Sequence, residues 1–324
     1  MHTILVTGGA GFIGSHFIEH VLESDPQAAV INLDALTYAA QGVNLLRVID
    51  NPRYLFAKGN ICDAQTVDAV MKHATYVVHF AAETHVDRSI EGPAEFVKTN
   101  VLGTQVLLDA ARKYGIKRFV QISTDEVYGS LGPKGSFTER SLLAPNSPYS
   151  ASKAGSDMLA RSYWKTYGLD LCVTRCSNNF GPHQFSEKLI PVVIKNALED
   201  KPIPVYGDGM NVRDWIHVKD HCAAVYKVLT KGKAGEVYNI GTANEMPNLV
   251  LIKKILAILG KPESLISFVT DRLGHDRRYA IDPTKVRKEL DWEPRVDFDQ
   301  GLAETVAWYR DFFAGRIVPH NHHH

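Results

Sequence analysis

The sequence has little cysteine and no excess of charge of either sign. Its four cysteines, Cys62, Cys172, Cys176 and Cys222, include no Cys-x-x-Cys pair with histidines behind it. That pattern argues against zinc and leaves reduced, mostly buried thiols as the expectation. Lysine plus arginine and aspartate plus glutamate both total 36, so the formal net charge is 36 minus 36, or zero. Such a balance speaks against a nucleic-acid or membrane surface, and any anionic ligand has to be held by local positive groups. No apolar run reaches membrane length, and residues 1–14 lack the basic and apolar regions of a signal peptide. Internal repeats and low-complexity segments are also missing. A cytoplasmic protein of 324 residues, one large domain with a smaller appendage, is therefore expected. His320-Asn321-His322-His323-His324 has the look of part of a purification tag and is set aside.

What is present begins with residues 3–6, an apolar strand that turns through Thr7-Gly8-Gly9-Ala10-Gly11-Phe12-Ile13-Gly14 into a helix to about residue 22. Glycines at Gly8, Gly11 and Gly14 permit a tight turn and close approach of the backbone to a pyrophosphate. The helix N-terminus adds unpaired N–H groups and the positive end of a dipole. A second strand, residues 30–33, ends in Asp34, 20 positions beyond Gly14. An acid there accepts hydrogen bonds from both adenosine ribose hydroxyls and repels a 2′-phosphate, which selects NAD over NADP. Strands are expected at 54–57 and 76–80, the first closed by Asn60, whose polar end reaches the adenine, and the second by the small pair Ala81-Ala82. A single long helix is expected over 94–113, with Thr99 and Asn100 toward the sheet edge.

Residues 117–123 read as the next strand, followed without a break by Thr124-Asp125-Glu126. At the carboxyl edge of a parallel sheet, where ligands bind, two adjacent acids are placed to act on a substrate. Tyr149 and Lys153 follow, four apart and so on one face of a helix, where an ammonium lowers the pKa of a phenol and makes it a base for a sugar hydroxyl. Strand alternating with helix through Lys153 predicts an α/β fold, a Rossmann-type doubly wound parallel sheet. A strand over 169–175 leads to Asn178-Asn179, and Gly181-Pro182 marks the exit to a smaller C-terminal α/β lobe. There, strands are expected at 202–206, 237–240 and 266–269, and helices near 219–230, 249–259 and 302–313. Arg213 and Arg272, accompanied by Tyr206, Trp215, Asn248 and His275, are read as neutralising a diphosphate.

The glycine turn together with Tyr149-x-x-x-Lys153 resembles the extended short-chain dehydrogenase/reductase superfamily. Within it, Ser123-Thr124-Asp125-Glu126-Val127-Tyr128-Gly129, Glu187-Lys188-Leu189-Ile190-Pro191, Arg213-Asp214-Trp215 and Asp271-Arg272-Leu273-Gly274-His275-Asp276 resemble the dTDP-glucose 4,6-dehydratases. That resemblance implies a role for each group. Tyr149 is the base for oxidation at C4, Lys153 lowers its pKa and binds the nicotinamide ribose, and Thr124 holds the C4 oxygen. Glu126 removes the C5 proton, Asp125 protonates the departing C6 hydroxyl, and the hydride returns to C6. By the same matching Phe12, Ile13, Leu36, Thr37, Asn60, Ile61, Phe80, Ala81, Ala82, Thr99 and Asn179 join Asp34 around NAD. Thr84, Asn178, Glu187, Lys188, Leu189, Pro204, Tyr206, Arg213, Asn248, Arg272 and His275 contact the nucleotide-diphosphate hexose.

The resemblance further implies a homodimer through helices 94–113 and 149–167. It divides the chain into an NAD-binding domain, 1–180, with the catalytic residues, and a mainly sugar-nucleotide lobe, 181–318, some of whose segments return to the first domain. The chain departs from the family pattern at Ala39-Ala40-Gln41, Asn60, Ser186 and Leu273. UDP-glucose as substrate stays open, as does a 4-epimerase or decarboxylase using the same oxidation; Asp125 speaks against the latter pair. An NAD-binding sensor without catalysis is the reading from outside enzymology, and the intact Thr124, Tyr149 and Lys153 oppose it.

Overall fold

The computed structural model describes residues 1–36, 42–82 and 86–317. Strands β1 (His2–Thr7), β2 (Ala28–Asp34), β3 (Tyr54–Lys58), β4 (Tyr76–His79), β5 (Arg118–Thr124) and β6 (Leu171–Cys176) lie parallel in one sheet. β1, β4, β5 and β6 are buried over most of their length, as strands covered on both faces must be. Three further strands follow: the short polar-led β7 (Asn178–Phe180), the short apolar β8 (Ile203–Tyr206) and the partly polar β9 (Val212–His217). β10 (Val237–Ile240) returns to the main sheet beside β6, giving the order β10-β6-β5-β4-β1-β2-β3. β11 (Glu245–Pro247) joins β9 and β7 in a second sheet, and β12 (Ile266–Val269) pairs β8 in a third.

The chain starts in the middle of the large sheet, runs outward through β2 and β3, then crosses to β4 on the other side of β1. The order reverses between β1 and β4, and the crevice outside the carboxyl ends there is where an open sheet binds ligands. Ile4 and Val6 pack with Phe17, Ile18 and Val21 of the helix Phe12–Ser24 on one face, whereas Leu5, Val77 and Phe119 pack with Leu107 and Leu108 on the other. A separate core of Ile194, Val205, Trp215, Ile252 and Tyr309 holds the smaller lobe together.

The helix expected over 94–113 is not a single regular helix. Pro93–Val97 is α-helical, Lys98–Leu102 is a π turn, and Gly103–Lys113 resumes the α-helix. The wider turn lets Asn100 reach inward, donating from Nδ2 to Ser152 Oγ at 2.9 Å, while Thr99 turns to the crevice. Helix Pro148–Tyr167 is capped by Ser147, whose Oγ accepts from Ser150 N at 3.1 Å, and has proline in its first turn.

Beneath β5 and β6 lies a buried ion pair, Arg175 Nε to Asp157 Oδ2 at 3.1 Å, with side chains 4% and 0% exposed. Ser123 Oγ donates to the same carboxylate at 2.8 Å, and Arg175 Nη1 donates to Tyr128 OH at 3.1 Å. The network therefore ties helix Pro148–Tyr167 to both ends of the turn after β5. Replacing Arg175 by methionine strands a buried carboxylate, and the loss expected is about 3–5 kcal/mol of unfolding free energy in urea. A change below about 0.5 kcal/mol, the level of an ordinary surface substitution, would show that the pair does not organise this layer.

Candidate active site

At the carboxyl ends of the strands the two lobes enclose a cavity of about 570 Å³. Its floor begins at the glycine turn. Gly8 has φ +73°, and a Cβ there would meet Ala81 N at 2.7 Å, so only glycine lets β1 and β4 approach this closely. Helix Phe12–Ser24 has no side-chain cap, which leaves its first N–H groups for a ligand. Asp34 fixes the turn from the side: Oδ2 accepts Ala10 N at 2.8 Å and Oδ1 accepts Leu36 N at 2.7 Å. Burial raises its pKa, and those two N–H bonds oppose the rise. With Asn60 and Ile61 beyond Asp34, and Tyr149 and Lys153 at the far end, the wall carries the groups a dinucleotide needs along its length.

Most expected cofactor positions lie on this wall: Gly8, Gly11, Phe12, Ile13, Gly14, Asp34, Asn60, Ile61, Phe80, Ala81, Ala82, Thr99 and Asn179. Leu36 does not. It is exposed, with φ +55°, and contributes its backbone N–H to Asp34 instead. Thr37 lies outside the described residues. On the sugar-nucleotide side Asn178, Glu187, Lys188, Leu189, Pro204, Tyr206, Arg213, Asn248, Arg272 and His275 all face the cavity, whereas Thr84 lies outside the described residues. Residues not singled out from the sequence also line it, among them Glu95, Cys176, Ser177, Gln184 and Phe185. Only the nearby Gly181-Pro182 hinted at the last two.

Tyr149 is almost fully buried and shares the wall with Thr124, Glu126 and Lys153. Lys153 Nζ donates to Ile122 O at 2.9 Å, which holds the ammonium under the end of β5. Burial lowers its pKa, and Asp157, one turn further along the helix, works against that. Thr124 caps the short turn Asp125–Tyr128, its Oγ1 accepting from Glu126 N at 3.2 Å. Asp125 points the other way. It is 1% exposed and does not line the cavity; Oδ1 accepts from Thr124 Oγ1 at 3.4 Å, and Oδ2 has no partner.

The two adjacent acids sit in different fields. Burial, then the neighbouring Glu126, push the Asp125 pKa well above the usual carboxylate range. Burial also raises Glu126, but Arg213, Lys188 and Arg272 pull it back. Environments that separate two carboxyls in this way assign an acid and a base. Arg213 is held for that purpose: Nη2 donates to Asp276 O at 2.8 Å, and its guanidinium lies 4.3 Å from the Tyr279 ring. Arg272 sits 5.1 Å from the Tyr206 ring, and His275 packs edge-on to the same ring. Cys176 is on the wall, but burial pushes its thiol up to about 12, so it is no nucleophile.

The family model for GDP-mannose 4,6 dehydratase matches residues 5–305. A dTDP-glucose 4,6-dehydratase of Actinoplanes sp. is 54% identical over 312 residues, covering 95% of this chain and 97% of its own. DesIV, a dTDP-glucose 4,6-dehydratase of Streptomyces venezuelae solved with NAD and TYD bound, matches with a TM-score of 0.95 and 50% identity over 97% of this chain and 98% of its own. A UDP-glucose 4-epimerase of Thermotoga maritima matches with a TM-score of 0.89 at 33% identity, over 96% of this chain and 99% of its own.

The raised Asp125 pKa carries a cost in stability. Below about pH 3.9 the carboxyl is protonated in the folded and unfolded chain alike, and nothing is lost. As pH rises toward the folded-state value, only the unfolded chain gives up its proton, and folding weakens. Asp125→Asn has no proton to lose, so it is expected to melt at a higher temperature than the wild type at pH 7. That advantage should vanish near pH 3.5. Equal melting temperatures at both pH values would contradict the burial of a protonated Asp125.

Proposed function

The chain belongs to the dTDP-glucose 4,6-dehydratase family, and from that membership we propose how its residues divide the work. It is a hydro-lyase that converts dTDP-glucose to dTDP-4-keto-6-deoxyglucose and water, with NAD as cofactor. Held along the glycine turn, Asp34 and Lys153, NAD would supply the reversible hydride chemistry that the reaction needs between C4 and C6 of the hexose. Everything else falls to side chains. Tyr149, with Lys153 one turn away and Thr124 beside it, takes the proton of the C4 hydroxyl as the ketone forms. The ketone acidifies C5. Glu126, whose carboxyl burial raises and Arg213, Lys188 and Arg272 pull back, removes the C5 proton. Asp125, still carrying its proton, delivers it to the C6 hydroxyl so that water and not hydroxide departs. Asp125 is engaged by Thr124 Oγ1 at 3.4 Å, a long hydrogen bond of the kind that tightens in a substrate complex. The observation that carries the reading is this pair of adjacent buried carboxyls, one of them faced by three cations, next to a tyrosine and lysine on one helix face.

The lobes divide accordingly. Residues 1–180 would hold NAD and the reacting groups, and 181–318 would supply most contacts to the nucleotide, with Lys188, Arg213 and Arg272 as the diphosphate's counter-charges. The protein is proposed to work in the cytoplasm; among the described residues no helix is long and apolar enough to cross a membrane. It is also proposed to be a homodimer. Val97, Leu102 and Met158 are 52%, 42% and 46% exposed and stand on the two neighbouring helical segments, next to a shallow apolar depression lined by Val101 and Leu159. Pairing this face about a two-fold axis would bury it in a four-helix layer.

Incubation with dTDP-glucose is expected to give a product lighter by one water, and UDP-glucose in a parallel reaction measures how strictly the base is read. Asp125→Asn should lower product formation by about 100-fold to 10,000-fold while C5 hydrogen still exchanges with solvent. Glu126→Gln should abolish both. Product at the wild-type rate from Asp125→Asn, or a C4 epimer without loss of water, would move the epimerase reading ahead. For the dimer, sedimentation at micromolar concentration should show two copies, and Val97→Glu with Leu102→Glu should give one. A wild-type monomer under those conditions rules the interface out.

A further inference from the structure

The glycine turn is tied to a segment far along the chain. Asn44 is buried, and its Nδ2 donates to Ala10 O at 2.9 Å. With the amide so oriented, Oδ1 faces His183 and accepts from Nδ1–H at 2.9 Å. Ala10 N is already bound to Asp34, so both backbone polar groups of Ala10 are engaged. His183 stands at φ +77°, a conformation that a residue with a side chain holds only where its surroundings over-determine it. Those surroundings are on the page. The His183 ring is 4.6 Å from the Trp308 ring and 5.3 Å from that of His16, which donates from Nε2 to Pro182 O at 2.8 Å. Tyr309 OH donates to Gln184 O at 2.5 Å. Gln184 and Phe185, the next two residues of this strap, share the cavity wall with Gly8, Gly11 and Gly14.

We propose that the Asn44–His183 pair is a clasp that pins the strap to the glycine turn and so sets how long NAD stays bound. The turn and the strap enclose one cavity. A dinucleotide leaves when one of them moves from the other, and that movement breaks the pair and leaves two buried polar atoms without partners. Unpaired buried groups cost more than an ordinary hydrogen bond is worth, so the clasp slows the opening. Burial holds the His183 pKa down at about 3, which keeps the ring neutral and the Nδ1–H donor in place at neutral pH. Asn44 and His183 are positioning residues here and touch no reacting atom.

The inference rests on NAD being the occupant, and the test separates the two ideas. The full chain is loaded with fluorescent etheno-NAD, and its release into excess NAD is timed. His183→Gly keeps the left-handed backbone without strain but removes the donor, and Asn44→Ala removes its partner. His183→Gly is expected to release the dinucleotide about tenfold faster, the size of one buried hydrogen bond, and Asn44→Ala, which also frees Ala10 O, at least as fast. The two together should be no faster than Asn44→Ala, which already lacks the shared bond. His183→Asn tolerates the positive φ and presents an amide N–H near the place of Nδ1, so it should restore slow release. A merely structural role would not be rescued in that way. Wild-type release from His183→Gly, or equally fast release from His183→Asn and His183→Gly, overturns the clasp. If Asn44→Ala does not fold, the two His183 variants carry the test alone. A wild type that takes up no dinucleotide overturns the occupant as well as the clasp.

Discussion

The parallel pairing of β1 with β2 on one side and β4 on the other is the constraint on which the site depends. Because the strand order reverses at β1, the connections after β1 and β4 lie on opposite faces and leave a crevice between them. All the strands of the sheet point their carboxyl ends to this edge. The glycine turn follows β1, Asp34 ends β2, Asn60 follows β3, Ala81 and Ala82 follow β4, and the acids follow β5. One topological fact therefore gathers groups from across the first 180 residues. A buried polar chain beneath the turn keeps it in register: Thr7 Oγ1 and His79 Nδ1 are 2.7 Å apart, and His79 Nε2 and Thr104 Oγ1 are 3.0 Å apart.

With zero formal charge, the molecule has no general field to attract a diphosphate or to set the protonation of its acids. Local positive groups have to take that part. Arg213, Lys188 and Arg272 converge on Glu126, whereas Asp125, one residue away, lies behind the wall and keeps an orphaned oxygen. A buried carboxyl without a full set of partners is a liability for folding, and it is the kind of liability that active sites retain. Its neighbours absorb the strain: the Arg175–Asp157 pair and Tyr128, which donates to Asn239 Oδ1 at 2.7 Å, hold the turn from both ends. Lys153 is fixed by the same layer. Asp125, Glu126 and Tyr149 thus rest on one floor, and Lys188, Arg213 and Arg272 are brought to it from beyond residue 180.

Much of this was legible in the residues alone. Glycines at close spacing, an apolar run of strand length, an acid just past a strand and Tyr-x-x-x-Lys all act through neighbours in the chain, by permitted backbone angles and by side-chain period. The main strands and the helix bearing Tyr149 and Lys153 accordingly lie where the pattern puts them, and nearly every proposed contact faces one cavity. What the residues could not disclose depends on partners distant in sequence. β7, β9 and β11 are short and polar, with Asn178, Arg213 and Asp214 in place of an apolar alternation, and become strands only by pairing with one another. The π turn at Lys98–Leu102 accompanies the bond between Asn100 and Ser152, 52 positions apart. The backbone N–H of Leu36 turns back to Asp34, a local turn that no periodicity announces. The raised pKa of Asp125 and the bond between Asn44 and His183, 139 positions apart, belong to the folded molecule, because burial and the approach of a distant charge or amide exist only once the chain has folded.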